Sequence, residues 1–151
     1  HYSCSGTLSV SCLRLTGVYG VSNSGAQSKW LNLIRDALSG AAAPEPRSGT
    51  EVHGDDVAAA ALLLLQQPTA RVSGKVFNCS DLTVSRARIL AQVQQQVDQV
   101  VNTPAESDPP KRILNCAALK ALGWRPGGEE KLQRTIAALT EIALAEPVQA
   151  D

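Results

Sequence analysis

The stretch Leu8-Ser-Val-Ser-Cys-Leu-Arg-Leu15 runs directly into Thr16-Gly-Val-Tyr-Gly20. Apolar and polar residues alternate at first, and the end turns more apolar, which predicts a buried β-strand over Leu8–Leu15. Thr16–Gly20 predicts a loop at its carboxyl end, continuing through the small polar residues to Gln27. Gly74–Asn78, with Lys-Val-Phe at its centre, predicts a second strand. Weaker strand signals lie at Thr50–His53 and Arg112–Leu114. Helical patterns fill the rest. Ser28 is the expected cap of Lys29–Leu38, and Ser85 of Arg86–Val101. Asp55 and Asp56 precede the apolar run Val57–Leu65, where carboxylates favour a helix start. Asn115–Leu122 and Glu129–Leu144 complete the set. Strands alternating with helices predict an α/β architecture. Two convincing strands are too few for a doubly wound sheet, so part of the sheet is expected outside this chain.

Composition narrows the function classes. The 151 residues suit one domain. Lys plus Arg and Asp plus Glu are 14 each, so no basic surplus points to nucleic acid. Two Trp, two Tyr and one Phe are too few for a base-stacking platform. The longest apolar run, Val57–Leu65, is far short of the ~20 residues a membrane span needs. Cys4, Cys12, Cys79 and Cys116 contain no close pair, which argues against a metal site and predicts buried free thiols in a cytoplasmic protein. There is no methionine and the chain begins at His1, so a piece of a longer protein is expected.

Five segments carry a resemblance in their order: Cys12–Gly20, Val52–Ala58, Val76–Asp81, Asn115–Lys120 and Leu122–Pro126. Together they resemble the C-terminal half of the NAD-dependent epimerase/dehydratase family, the extended short-chain dehydrogenases. The resemblance implies the C-terminal part of a Rossmann-type parallel sheet, its last two strands, plus a small, mostly helical substrate-binding lobe. Residues 1–151 would then be the C-terminal portion of one NAD(P)-binding domain, with the cofactor-binding half upstream. The helices at Lys29 and Asn115 are expected in the lobe. The parent would be an NAD(P)-dependent oxidoreductase, epimerase or dehydratase acting on a small molecule bearing a hydroxyl or keto group. The alternative is a dinucleotide sensor or interaction protein of the same fold.

The sequence has no G-x-G-x-x-G and no Tyr-x-x-x-Lys pair. This chain alone is therefore expected to bind neither NAD nor NADP. Family epimerases acting on sugar nucleotides usually carry Asn at Gly17, Pro at Val21 and Arg at Gly49. These departures point away from a nucleotide sugar. Ligands of such folds lie beyond the carboxyl ends of the strands. Leu15, Thr16 and Gly17 are accordingly the expected nicotinamide-side residues. Tyr19, Trp30, Arg47 and His53 are the candidate substrate contacts. Each has a structural reading too: Tyr19 and Trp30 as packed aromatics, Arg47 as a solvated loop residue, His53 as a satisfied histidine. Finally, an unpartnered Leu8–Leu15 edge predicts self-association, as a homodimer or aggregate.

Overall fold

A computed structural model describes residues 8–23 and 27–145; the candidates Cys4 and His1 lie outside them. The first strand, β1, is Cys12–Leu15, shorter than the alternating stretch that predicts it. It pairs in parallel with β4, Val76–Cys79, Cys12 opposite Val76 and Leu15 opposite Cys79. That is the parallel neighbourhood the sequence predicts.

Where the sequence predicts a loop, three residues form β2, Gly17–Tyr19. β2 pairs in parallel with β3, Ser48–His53, which is two residues longer than its sequence signal. β3 pairs antiparallel with β5, Leu82–Ser85, a strand the sequence reading omits. Two sheets result, β1-β4 and β2-β3-β5. Both long paths through the molecule change sheets at the same place. One crosses at Thr16, between β1 and β2; the other crosses after Cys79, between β4 and β5. The Thr16 hydroxyl donates to Ser80 Oγ at 3.2 Å, and the Thr16 amide donates to the Cys79 carbonyl. The two crossing points are thus tied together.

The helices sort between two cores. α1 (Leu31–Leu38), α4 (Arg86–Gln94) and α6 (Gly128–Ala145) bury Leu31, Ile34, Ile89, Leu90, Val93, Leu132, Ile136 and Leu139 against Tyr19 and Val84. This is the helical lobe. α2 (Gly54–Leu65), the single turn α3 (Thr69–Val72) and α5 (Ala117–Ala121) form the other core with Phe77, Cys79, Val52 and Trp124. The Asn115 helix expected in the lobe therefore packs on β4 instead.

Several local expectations change for physical reasons. Ser28 does not cap α1; its Oγ accepts the Ser22 amide at 2.9 Å, and Trp30 takes the N-cap position. The α2 cap is the His53 ring, whose Nδ1 accepts the Asp55 amide at 3.1 Å, not the aspartates. Ser85 does cap α4, accepting from Arg88. α4 ends at Gln94 because that side chain turns back: Nε2 donates to the Val97 and Gln99 carbonyls, and Oε1 accepts the Val101 amide. Gln99 adds a second tether, its Nε2 donating to the Leu38 carbonyl at 3.0 Å. Val100 is exposed in consequence. Arg112–Leu114 is not a strand.

Asp56 fastens α2 to α6. It is 3 % exposed. Its carboxylate accepts from Lys131 Nζ at 2.6 Å and from the Gly127 amide at 3.0 Å, while its carbonyl accepts from Trp124 Nε1. Beside it, Asp81 accepts the Gly128 amide at 2.9 Å. Burial raises the Asp81 pKa above its ordinary value, and the Gly128 bond holds part of that rise back.

Candidate functional site

β2 and β3 place Gly17 directly opposite Glu51. Glu51 is a carboxylate in a strand interior, 7 % exposed, a position that demands a partner. Lys29 supplies it from the turn before α1, Nζ to Oε2 at 2.5 Å. The pair occupies the space of missing side chains. A Cβ on Gly17 would stand 2.3 Å from Glu51 Oε2 and 2.6 Å from Lys29 Nζ. A Cβ on Gly49 would stand 3.2 Å from the other oxygen, Oε1. Two glycines on one face of the sheet thus make room for one ion pair.

A cavity of about 210 Å³ opens beside this pair, lined by Lys29, Trp30, Arg47, Ser48, Gly49, Glu51, Val84, Arg86 and Ile89. Its floor is apolar, from Val84 and Ile89. Its polar wall carries three cations and one carboxylate. Arg86 is anchored, Nη1 donating to the Glu45 carbonyl at 3.1 Å, and Arg47 is exposed at the rim.

Trp30 stands at φ 72°, in the left-handed region that costs a bulky residue roughly 1–2 kcal/mol. Packing holds it there. Its ring stacks on Tyr19 at 5.0 Å between centroids, and Lys29 Nζ sits 5.6 Å above it. Tyr19 in turn meets the edge of His53 at 5.1 Å. Tyr19 is 2 % exposed and its hydroxyl has no partner. Burial, and then the charges of Asp81, Asp56, Glu129 and Glu51, push its pKa far above the ordinary tyrosine value. Burial also lowers the His53 pKa, against an opposing pull from Asp55.

Of the four substrate candidates, Trp30 and Arg47 line the cavity. Buried Tyr19 lies behind them against Trp30, and half-buried His53 meets the Tyr19 ring edge-on. The nicotinamide-side candidates separate: Leu15 is exposed at the end of β1, Thr16 is committed to Ser80, and Gly17 faces the Lys29–Glu51 pair. Lys29, Glu51 and Arg86 were not singled out by sequence reasoning. The available signal was a charged residue between Thr50 and Val52 in a strand with a glycine two positions earlier.

The turn from β3 into α2 does not suit a pyrophosphate. The strand-to-helix turn from β3 into α2 carries Asp55 and Asp56 in the first helical turn, the wrong sign for an anion at a helix N-terminus. Burial raises the Cys79 pKa to about 11, with neighbouring Cys116 adding to the rise, so this thiol stays protonated. Cys12, Cys79 and Cys116 are free thiols, and no metal-binding group of His, Cys, Asp and Glu occurs among the described residues. No helix among those residues is long and apolar enough to cross a membrane.

Comparison with solved structures shows a Rossmann-fold relationship. The UDP-glucuronic acid 4-epimerase of Bacillus cereus, in complex with UDP-glucuronic acid and NAD, aligns with a TM-score of 0.71 at 17 % identity, over 95 % of this chain and 48 % of that one. A partial-consensus L-threonine 3-dehydrogenase aligns with a TM-score of 0.67 at 16 % identity, over 96 % and 51 %. The Thermus thermophilus UDP-glucose 4-epimerase, complexed with NAD, aligns with a TM-score of 0.62 at 20 % identity, over 93 % and 49 %. The chain spans about half the length of these structures. Comparison with curated proteins found no match. The sequence profile of the NAD dependent epimerase/dehydratase family matches residues 1–80, more than half of the 151, and the chain belongs to that family.

Proposed function

We propose that this chain is the C-terminal portion of one NAD(P)-binding domain and supplies the substrate side of an NAD(P)-dependent oxidoreductase, epimerase or dehydratase. Its substrate is a small molecule bearing a hydroxyl or keto group. The observation that carries this reading is the β1-β4 pair, a parallel sheet of two strands among the described residues, leading into a lobe with a cation-lined cavity. The half-length alignment with dinucleotide-bound structures supports it.

In this reading NAD or NADP supplies hydride exchange and is held by the other half of the domain. Of the nicotinamide-side candidates, Leu15 at the end of β1 is the one left open toward the nicotinamide, while Thr16 is bonded to Ser80 and Gly17 faces the Lys29–Glu51 pair. Trp30 and Arg47 contact the substrate. Tyr19 and His53 hold Trp30 in place. The chain carries no G-x-G-x-x-G, and its β3–α2 turn is acidic, which supports the reading that this chain by itself binds neither dinucleotide. The natural setting is cytoplasmic, and the first partner is the other half of the domain.

Two measurements test the proposal. Calorimetric titration of the 151-residue chain with NAD and NADP gives no micromolar binding; such binding would contradict the division of labour. The polypeptide of the natural reading frame, given NAD(P) and hydroxy or keto substrates, either changes the absorbance of reduced nicotinamide or, where the hydride returns to the substrate, yields an epimer or dehydrated product by NMR. The absence of both outcomes with every substrate would contradict the enzymatic reading.

A further inference from the structure

We propose that Asp81 is a proton-operated latch, holding the start of α6 to the β4–β5 link more tightly when its carboxyl is protonated than when it is ionised.

Charge pairing carries the first part. Three of the four carboxylates at the start of α6 have a cation. Asp56, from α2, pairs with Lys131 at 2.6 Å. Glu129 pairs with Arg88 of α4, and the exposed Glu130 pairs with Arg134 at 2.9 Å. The fourth, Asp81, has no ion-pair partner among the described residues. Its side chain accepts the Gly128 amide at 2.9 Å, and Lys120 of α5 attracts it from farther away. Asp56 and Asp81 accept from consecutive amides, Gly127 and Gly128, so the two carboxylates are neighbours. Where two carboxylates share a site, the second charge is disfavoured.

The surroundings add to this. Asp81 is half-buried, and its own amide donates to the Glu51 carbonyl at 2.9 Å, which pins its backbone. The Tyr19 hydroxyl of β2 is buried without a partner, and of the charges that bear on it Asp81 is the strongest. The carboxylate therefore gains no bond from the nearest orphan donor. Cys79 of β4, a protonated thiol, offers no charge in compensation. The latch lies one residue beyond Ser80, whose hydroxyl ties the two sheet crossings, so its state bears on the joint between sheet and lobe.

The sign follows from the environment. Burial, with the charges of Asp56 and Glu129, raises the Asp81 pKa; the Gly128 bond and Lys120 oppose that rise. The folded chain thus binds this proton more readily than the unfolded chain. Stability grows as pH falls through the folded value, and the gain is complete below the unfolded value, about 3.9. A salt-bridged aspartate does the reverse and loses stability in acid.

Asp81→Asn keeps an acceptor for the Gly128 amide and removes the charge. Urea denaturation of the 151-residue chain and of this variant, at one protein concentration, is run from about pH 7.5 to about pH 4. The variant should have the higher urea midpoint at neutral pH, and the gap should close as acid protonates the wild type. The difference cancels groups that both proteins carry, His53 among them. An aspartate acting only as a helix cap would instead make the variant the less stable of the two. The Gly128 amide gives a local reading by NMR. Its shifts should titrate with a midpoint above the ordinary aspartate value, and that transition should be missing in Asp81→Asn. Three results overturn the proposal: a variant midpoint equal to or below wild type at neutral pH, a gap that stays constant with pH, or a Gly128 transition at or below the ordinary value. If Asp81→Asn does not fold, the Gly128 titration of the wild type decides alone. None of these readings involves a dinucleotide or turnover, so they stand apart from the enzymatic reading.

Discussion

The two halves of this molecule are finished to different degrees. In the helical lobe, Leu31, Ile34, Leu132, Ile136 and Leu139 have no measurable exposure, and three helices close over β5. Around the β1-β4 pair the surface is apolar and open: Val76 is 53 % exposed, Leu62 57 % and Leu65 83 %. Among the described residues, β1 has β4 as its sole strand neighbour. The lobe's helices bury their apolar stripes within the lobe, and the parallel pair does not. Parallel sheets are ordinarily covered on both faces. The open apolar surface around the parallel pair is what the proposed reading, with further strands in the other half of the domain, would cover.

Substitutions should expose this asymmetry. Ile136→Ala, in the lobe core, should cost about 4 kcal/mol. Leu65→Ala, at the end of α2, should stay within about 0.5 kcal/mol. Urea denaturation of both variants makes the comparison, and equal losses would erase it. Asp56→Ala comes next, because it cuts the joint between the halves. It leaves Lys131 Nζ and the Gly127 amide around an empty position, at a cost of about 3 kcal/mol. A loss within 0–0.5 kcal/mol, the ordinary range for a surface change, would show that α2 and α6 are held together by packing alone.

Smaller effects sharpen the picture of the lobe. The Tyr19 hydroxyl is buried without a partner, so Tyr19→Phe should raise the thermal midpoint, stabilising by about 1 kcal/mol. Destabilisation would reveal a partner for that hydroxyl. The smallest effect is pH-dependent. Burial lowers the folded-state pKa of His53, so the unfolded chain binds its proton more readily. The stability tied to neutral His53 is complete above its unfolded value, about 6.5, and is lost as pH falls from there through the folded value. Between about pH 7 and pH 5, wild type should lose more stability than His53→Gln; parallel pH curves would refute this.

The parts of the fold that periodicity can encode were legible. Leu8–Leu15 and Gly74–Asn78 carry strand patterns, and the family resemblance implies their parallel pairing. Leu132, Ile136, Leu139 and Ala143 are buried as their spacing requires. β2 and β5 were missed because three or four residues are too short for an alternation, and Gly17, Thr83 and Ser85 read as turn chemistry. The site was half legible. Trp30 and Arg47 stood out by residue type. The Lys29–Glu51 pair spans 22 positions with no motif between, and only strand register brings the two together. The capping role of His53 was hidden for a simpler reason: aspartates next to a helix start are the commoner caps.

The central claim of the proposed reading is that the β1-β4 pair, which has no further strand neighbour among the described residues, takes one from the other half of the domain. Light scattering of the purified 151-residue chain across a concentration series tests it most directly. The account predicts a mass above the 15.9 kDa monomer that rises with concentration, and falls when Leu65→Lys and Val76→Lys place charges on the open face. A monomer that melts cooperatively at high micromolar concentration would contradict it.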